Sequence, residues 1–232
     1  REVERIGTMK KIKTFEEKVE KSYAQESAER NVLKGVVEQL MQQSLQIKDE
    51  ANNLTRALKG DSKKQGNWGE VILERVLERS GLSKDQEYRL QASLQDEFGR
   101  RLQPDAIIDL PDDKQLVVDS KVSLNAYDAY CNAENSEEQI VYLNNHLKAL
   151  RSHIDELSTK NYNDLIDGLD FTMLFIPIEP AYLLALQTDN NLWNDAYKKR
   201  ILLISPTNLI ACLKLISDLW NKDKQDKSAQ KI

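Results

Sequence analysis

Apolar residues recur along the chain with more than one period, and each period marks a region. At Leu33, Val37, Leu40, Ser44, Ile47, Ala51, Leu54 and Leu58 the steps alternate between four and three, a heptad seam with two small or polar members. Carried backwards, the frame meets Arg30, Glu26 and Glu16, so the seam is confined to 33–58. Residues 1–59 are therefore expected to form a helical segment, read either as a coiled coil that self-associates or as an amphipathic helix on its own domain. Gly60–Gly66, GDSKKQG, has the composition of a linker.

Beyond Gly66 the pattern changes to short elements. NWGEVILERVLERSGL places Trp68, Val71, Ile72, Val76 and Leu77 on one helical face and stops at Gly81. Tyr88–Leu94, Leu102–Leu110 and Leu116–Ser123 read as strands, the last two joined by the turn residues of PDDK. Residues 137–159 return to helical spacing through Ile140, Leu143, Leu147, Leu150, Ile154 and Leu157. FTMLFIPI predicts a buried strand, EPAYLLAL a helix with Pro180 in its first turn, ILLISP a strand, and 207–221 an amphipathic helix. The order is helix, three strands, helix, strand, helix, strand, helix: a mixed α/β domain over 67–221, followed by a charged, frayed tail at 222–232.

Composition narrows the partners. A formal net charge of −5 over 232 residues argues against coating nucleic acid by bulk electrostatics, so any contact with DNA must come from a local site. Cys131 and Cys212 lie far apart without metal-ligand spacing and read as packed residues of a reducing compartment. No stretch reaches the roughly 20 apolar residues that cross a bilayer. With Arg1 in place of an initiating Met, the chain is expected to be a fragment of a longer one.

The candidate chemistry lies in QPDAIIDLPDDKQLVVDSKVSL, 103–124, where an apolar strand runs straight into charge. Asp119 and Lys121 are two apart and leave the same face of one strand. If the turn is centred on Asp112 or Asp113, Asp105 lies across the ladder from one of them, about 5 Å away at Cβ. A centre between those residues would pair Asp105 with Ser120, and a bulge would be needed to restore the cluster. Two carboxylates are the minimum for Mg²⁺ or Mn²⁺, and a lysine beside the metal can orient water and offset charge on a phosphorane. Glu70 is the candidate third acid, with capping of a helix start as its structural alternative. A structural ion-pair cluster is the alternative for the trio.

Pro104-Asp105 followed by Asp119-Ser120-Lys121 matches the PD-(D/E)xK pattern of restriction-endonuclease-like nucleases, and the element order resembles their core. GNWGEVILERVLERSGL, GRRLQPDAIIDLPDDKQLVVDSKVSLNAYDAY, FIPIEPAYLLAL and ISPTNLIACLKLI together resemble the RmuC family, bacterial proteins linked to DNA recombination, over roughly 64–221. The resemblance implies a restriction-endonuclease-like mixed sheet preceded by a long coiled-coil helix, and a Mg²⁺-dependent DNA nuclease. Asp105, Asp119 and Glu70 would be metal ligands, with Lys121 as water-positioning base or charge stabiliser. It also implies DNA as partner, a homo-oligomer through the coiled coil, and a membrane anchor before Arg1 that would tether a cytoplasmic protein to the inner membrane.

Other residues have two readings. Glu179 sits where strand passes to helix, at a site periphery or as a cap. Arg100, Arg101 and Lys160 are candidate phosphate contacts. Trp68 and Tyr182 read as core before base-stacking platforms. His146 and His153 share a helix face but lack further ligands for zinc. Ser205 has no histidine nearby in sequence, and Thr207 reads as a helix N-cap. The rival to the nuclease is a coiled-coil scaffold carrying an inactive nuclease-like domain that binds DNA or protein partners.

Overall fold

Valine, isoleucine and leucine concentrate in three short runs, and these runs form the middle of a sheet. The computed structural model describes residues 62–95, 99, 101–120, 125–162, 165–166 and 168–229. The expected coiled coil lies outside the described residues, as do Arg100 and Lys121. In chain order the elements are α1 (Ser62–Glu78), β1 (Tyr88–Leu90), β2 (Leu94–Gln95), β3 (Arg101–Leu102), β4 (Ala106–Asp109) and β5 (Gln115–Asp119). Then come α2 (Asn125–Asn132), α3 (Ser136–Thr159), β6 (Gly168–Phe175), α4 (Glu179–Thr188), α5 (Leu192–Lys198), β7 (Ile201–Ile204) and α6 (Pro206–Ala229).

The main sheet has the order β1-β4-β5-β6-β7. β1, β4 and β5 are antiparallel neighbours, whereas β5, β6 and β7 run parallel. The parallel half needs crossovers, supplied by α2 and α3 between β5 and β6 and by α4 and α5 between β6 and β7. Ile107, Ile108, Val117, Val118, Leu174 and Phe175 are fully buried, as strands covered on both faces require. β2 and β3 pair separately as a small ribbon. The fold is a mixed α/β domain with six helices among the described residues.

Several expected boundaries move. α1 begins at Ser62, inside the stretch that composition marks as linker, because Ser-Lys-Lys-Gln continues a helix as readily as it loosens one. Its stop is as expected: Gly81 takes φ +86°, left-handed backbone in which glycine carries no Cβ penalty. The expected strands 88–94 and 102–110 each break in two. α2 and α5 have no counterpart in the hydrophobic pattern, since α2 buries no residue and α5 only Leu192 and Ala196. α3 buries His146, Leu150, Ile154 and Leu157, while Ile140 of the expected stripe is exposed.

Residues 222–229 of the expected charged tail continue α6. Trp220 Nε1 donates to the Asp109 carbonyl at 2.9 Å, and one turn later Lys224 Nζ donates to Glu87 at 2.6 Å. Glu87 is buried, so this pair ties the helix end to the sheet edge. The N-cap of α6 also differs from expectation. Ser205, fully buried before Pro206, accepts the Asn208 N–H at 3.4 Å, which leaves Thr207 inside the first turn.

Gly69 lets α1 lie close against the end of β5. A Cβ there would stand 2.8 Å from Ser120 Oγ, 3.1 Å from the Ser120 carbonyl oxygen and 3.6 Å from Pro177 Cγ. Alanine in an open helix is worth about 1 kcal/mol over glycine. At this position the crowding reverses the sign, and overpacking typically costs about 1–3 kcal/mol. Gly69→Ala is expected to lower the midpoint of thermal unfolding; a stabilised variant would mean that α1 is free to shift.

Candidate functional site at the ends of β4 and β5

The register of the central hairpin decides which charges meet. Ala106 pairs with Val118, Ile107 with Val117 and Ile108 with Leu116, so every pair is centred on Asp112. One step further this register sets Asp105 opposite Asp119. The turn reaches that centre because Asp112 and Asp113 both adopt left-handed backbone, φ 64° and 58°, which aspartate tolerates better than most residues. Leu110 N–H donates to the Lys114 carbonyl at 2.7 Å and closes the loop.

Each acid is then held separately. Asp105 Oδ2 accepts the Ser120 backbone N–H at 2.6 Å, a charge-assisted bond across the strand ends. Burial raises the Asp105 carboxyl most; the Ser120 N–H opposes this, while the negative charges of Asp119 and Glu70 add to it and Lys160 offsets part. The balance carries Asp105 from 3.8 to about 6. The Asp119 side chain is 4% exposed, and its Oδ1 accepts from Lys160 Nζ at 2.9 Å. Burial works against the Lys160 ammonium, but the charge and hydrogen bond of Asp119 outweigh it and hold Lys160 above its ordinary range. The same ammonium lies 5.3 Å from the centre of the buried Tyr162 ring. Lys160, expected to touch phosphate, is thus at the acids themselves.

Glu70 occupies the midpoint of α1, eight residues from either end, so capping and the helix dipole give no account of it. Its Oε2 accepts from Gln91 Nε2 at 3.0 Å. Glu70 and Asp105 line one cleft of about 550 Å³ with Glu74, Lys84, Leu90 and Gln91. Gln91 escaped the sequence reading. It sits just past β1 at φ 48°, its N–H donates to the Asp105 carbonyl at 3.0 Å, and its own carbonyl accepts from Gln103 Nε2 at 3.0 Å. One residue in costly backbone therefore links both acids. Nothing in YRLQ signals that role.

The other candidates fall away from this centre. Glu179 spans two helices, accepting from Ser205 Oγ at 2.8 Å and from the Thr207 N–H at 3.1 Å. It caps α6 from the start of α4. Arg101 is exposed on β3. Trp68 and Tyr182 are core. His146 is fully buried with Nε2 3.1 Å from the Ala181 carbonyl, and burial lowers its pKa, so it is neutral at pH 7. Among the described residues no group of three or more His, Cys, Asp or Glu stands close enough together to hold a metal ion in this conformation. The same residues include no helix long and apolar enough to cross a membrane.

The family model described as the RmuC family matches residues 7–232. A DNA recombination protein RmuC homolog of Pseudomonas aeruginosa is 47% identical over 99% of this chain and 52% of its own length. The homolog of Vibrio cholerae is 47% identical over 95% of this chain and 44% of its own. The DNA recombination protein RmuC of Escherichia coli K12 is 44% identical over 94% and 46%. The chain spans about half the length of these relatives. No solved structure matches it. With a family model covering nearly all of it and relatives near 45% identity along its length, the chain belongs to the RmuC family.

Proposed function

We propose that this domain is a Mg²⁺- or Mn²⁺-dependent deoxyribonuclease of the restriction-endonuclease-like class, acting in DNA recombination. The observation that carries the reading is the β4–β5 register, which continued one step sets Asp105 opposite Asp119, together with the cleft that Glu70 and Asp105 both line. The donor set suits a hard divalent cation, all carboxylate oxygen. Among the described residues the second oxygen of each of the three carboxylates has no hydrogen-bond partner. Asp105 is raised partly by its two acidic neighbours, so the cluster is short of positive charge.

In this reading Asp105, Asp119 and Glu70 would hold the ion, which when bound supplies Lewis-acid activation of the scissile phosphate and of an attacking water. The remaining work belongs to the chain. The Ser120 N–H and Gln91 fix the carboxylates before substrate arrives. Lys121, two residues beyond Asp119 in the PD-(D/E)xK pattern, positions the water or offsets developing charge. Arg101 and Arg100, ahead of the hairpin, contact backbone phosphate. The heptads at 33–58 join subunits, so that several sites engage one DNA.

A second reading is favoured by the Lys160–Asp119 pair, which satisfies one oxygen of a candidate ligand without metal. Under it the domain binds DNA or a protein partner and cleaves nothing.

Linear, circular and hairpin DNA incubated with the chain, with and without Mg²⁺, separates the two. The nuclease degrades DNA only with the metal, and Asp119→Ala or Asp105→Asn lowers the rate by at least about 100-fold. Full activity in either variant excludes the assignment, and binding untouched by EDTA with no loss of DNA favours the scaffold. A proton on Asp105 competes with the cation, so activity is expected to fall as pH drops through about 6. Stability moves the other way. A carboxyl that is harder to ionise folded than unfolded weakens the fold as pH rises from 3.8 to about 6, by at most about 3 kcal/mol above that window. Asp105→Asn keeps an acceptor for Ser120 N–H, and its melting point at pH 8 should exceed the parent's by about 5 °C. Equal melting curves from pH 4 to 8 would mean that Asp105 is not buried as described.

A further inference from the structure

The Lys160 ammonium stands where the acidic pair lacks a cation. It arrives from the C-terminal cap of α3, 41 residues after Asp119, and its side chain is 24% exposed against 4% for Asp119. Helix C-termini favour cations, so the position stabilises the charge before any contact with the acid. The Tyr162 ring offers a second, weaker cradle for the same group.

Resting on the nuclease reading, we propose that Lys160 is a built-in counter-ion for Asp119 and Asp105, that a divalent cation must displace it, and that displacement frees the ammonium towards the bound phosphodiester. An ammonium at hydrogen-bond distance from Asp119 and a divalent ion on the same carboxylate repel strongly in a site so shielded from water. The two cations therefore compete, and linkage makes the competition reciprocal: whatever removes the ammonium raises affinity for the metal. Without metal, Lys160 lets the domain keep a buried carboxylate pair folded. With metal, the ammonium released from Asp119 would be available to a phosphodiester at the ion, with the Tyr162 ring still beside it.

The test is calorimetric titration of the whole chain with Mn²⁺ in the absence of DNA. Lys160→Gln, which can still hydrogen-bond to Asp119 without a charge, is expected to bind Mn²⁺ about tenfold more tightly than the parent. Lys160→Arg is expected to bind as the parent does, and Asp119→Asn to lose binding. Unchanged or weaker binding in Lys160→Gln, with Mn²⁺ still bound by the parent, overturns the counter-ion role and leaves the nuclease reading standing. No Mn²⁺ binding in the parent or in Lys160→Gln overturns both. Lys160→Met, which strips Asp119 of a partner, is read by thermal unfolding: Mn²⁺ should raise its melting point more than the parent's, or restore folding if it is unfolded without metal. A variant that Mn²⁺ fails to stabilise counts against the proposal.

Discussion

Two like charges are set face to face at the end of a buried hairpin, and much of the surrounding structure can be understood as a response. Asp105 and Asp119 are held near one another by the register of β4 and β5, which points them at each other one step past its last pair, and by the Ser120 N–H on Asp105. The repulsion is met from three directions: the Ser120 N–H on Asp105, the Lys160 ammonium on Asp119, and Gln91, which braces the Asp105 carbonyl and Glu70 together. None of these is strong enough to make Asp105 an ordinary carboxylate. The site is held in a conformation that stability alone would not select, a common condition of functional centres.

The approach of α1 serves the same end. Gly69 lets the helix backbone lie against Ser120, and its neighbour Glu70 then faces the cleft that Asp105 lines. The contact leaves Ser120 Oγ and Trp68 Nε1 buried with no hydrogen-bond partner among the described residues, a cost that tight helix–sheet packing has to offset. Gln91 adds left-handed backbone to the same small region. Left-handed backbone at Gln91 and the raised carboxyl of Asp105 thus meet in one cleft, and the residue that donates its N–H to Asp105 carries a buried hydroxyl without a partner among the described residues.

How much of this was legible depended on the range of the forces involved. The period of two along LVVDSK, and the resemblance to a two-acid nuclease motif, pointed to Asp105 and Asp119; the turn parity on which their meeting depended rests on left-handed Asp112, which no hydrophobic pattern encodes. The buried strands and α3 declared themselves through Val, Ile and Leu. α2 and α5 did not, because they bury too little to leave a stripe. Residues 222–229 looked like tail because their charges are visible in sequence and the partner of Lys224, Glu87, is 137 residues away. Glu70 is the candidate third acid in sequence with capping of a helix start as its alternative; its place in the middle of α1 removes that alternative, and only the fold puts it in one cleft with Asp105. Lys160 reads as a phosphate contact in sequence for the same lack of range: its partner Asp119 lies across a crossover, 41 residues away.

That crossover has a consequence for how the domain assembles. The hairpin bringing the acids together is local, with Ser120 and Asp105 15 residues apart, and hairpins close within microseconds. The neutralising lysine comes later, since it requires α3 to form and fold back over the sheet. An isolated β4–β5 unit therefore carries its own electrostatic opposition and has no counterweight until the parallel half docks. The antiparallel and parallel halves are thereby energetically coupled, because the charge balance of the hairpin end is completed only by a residue from the crossover.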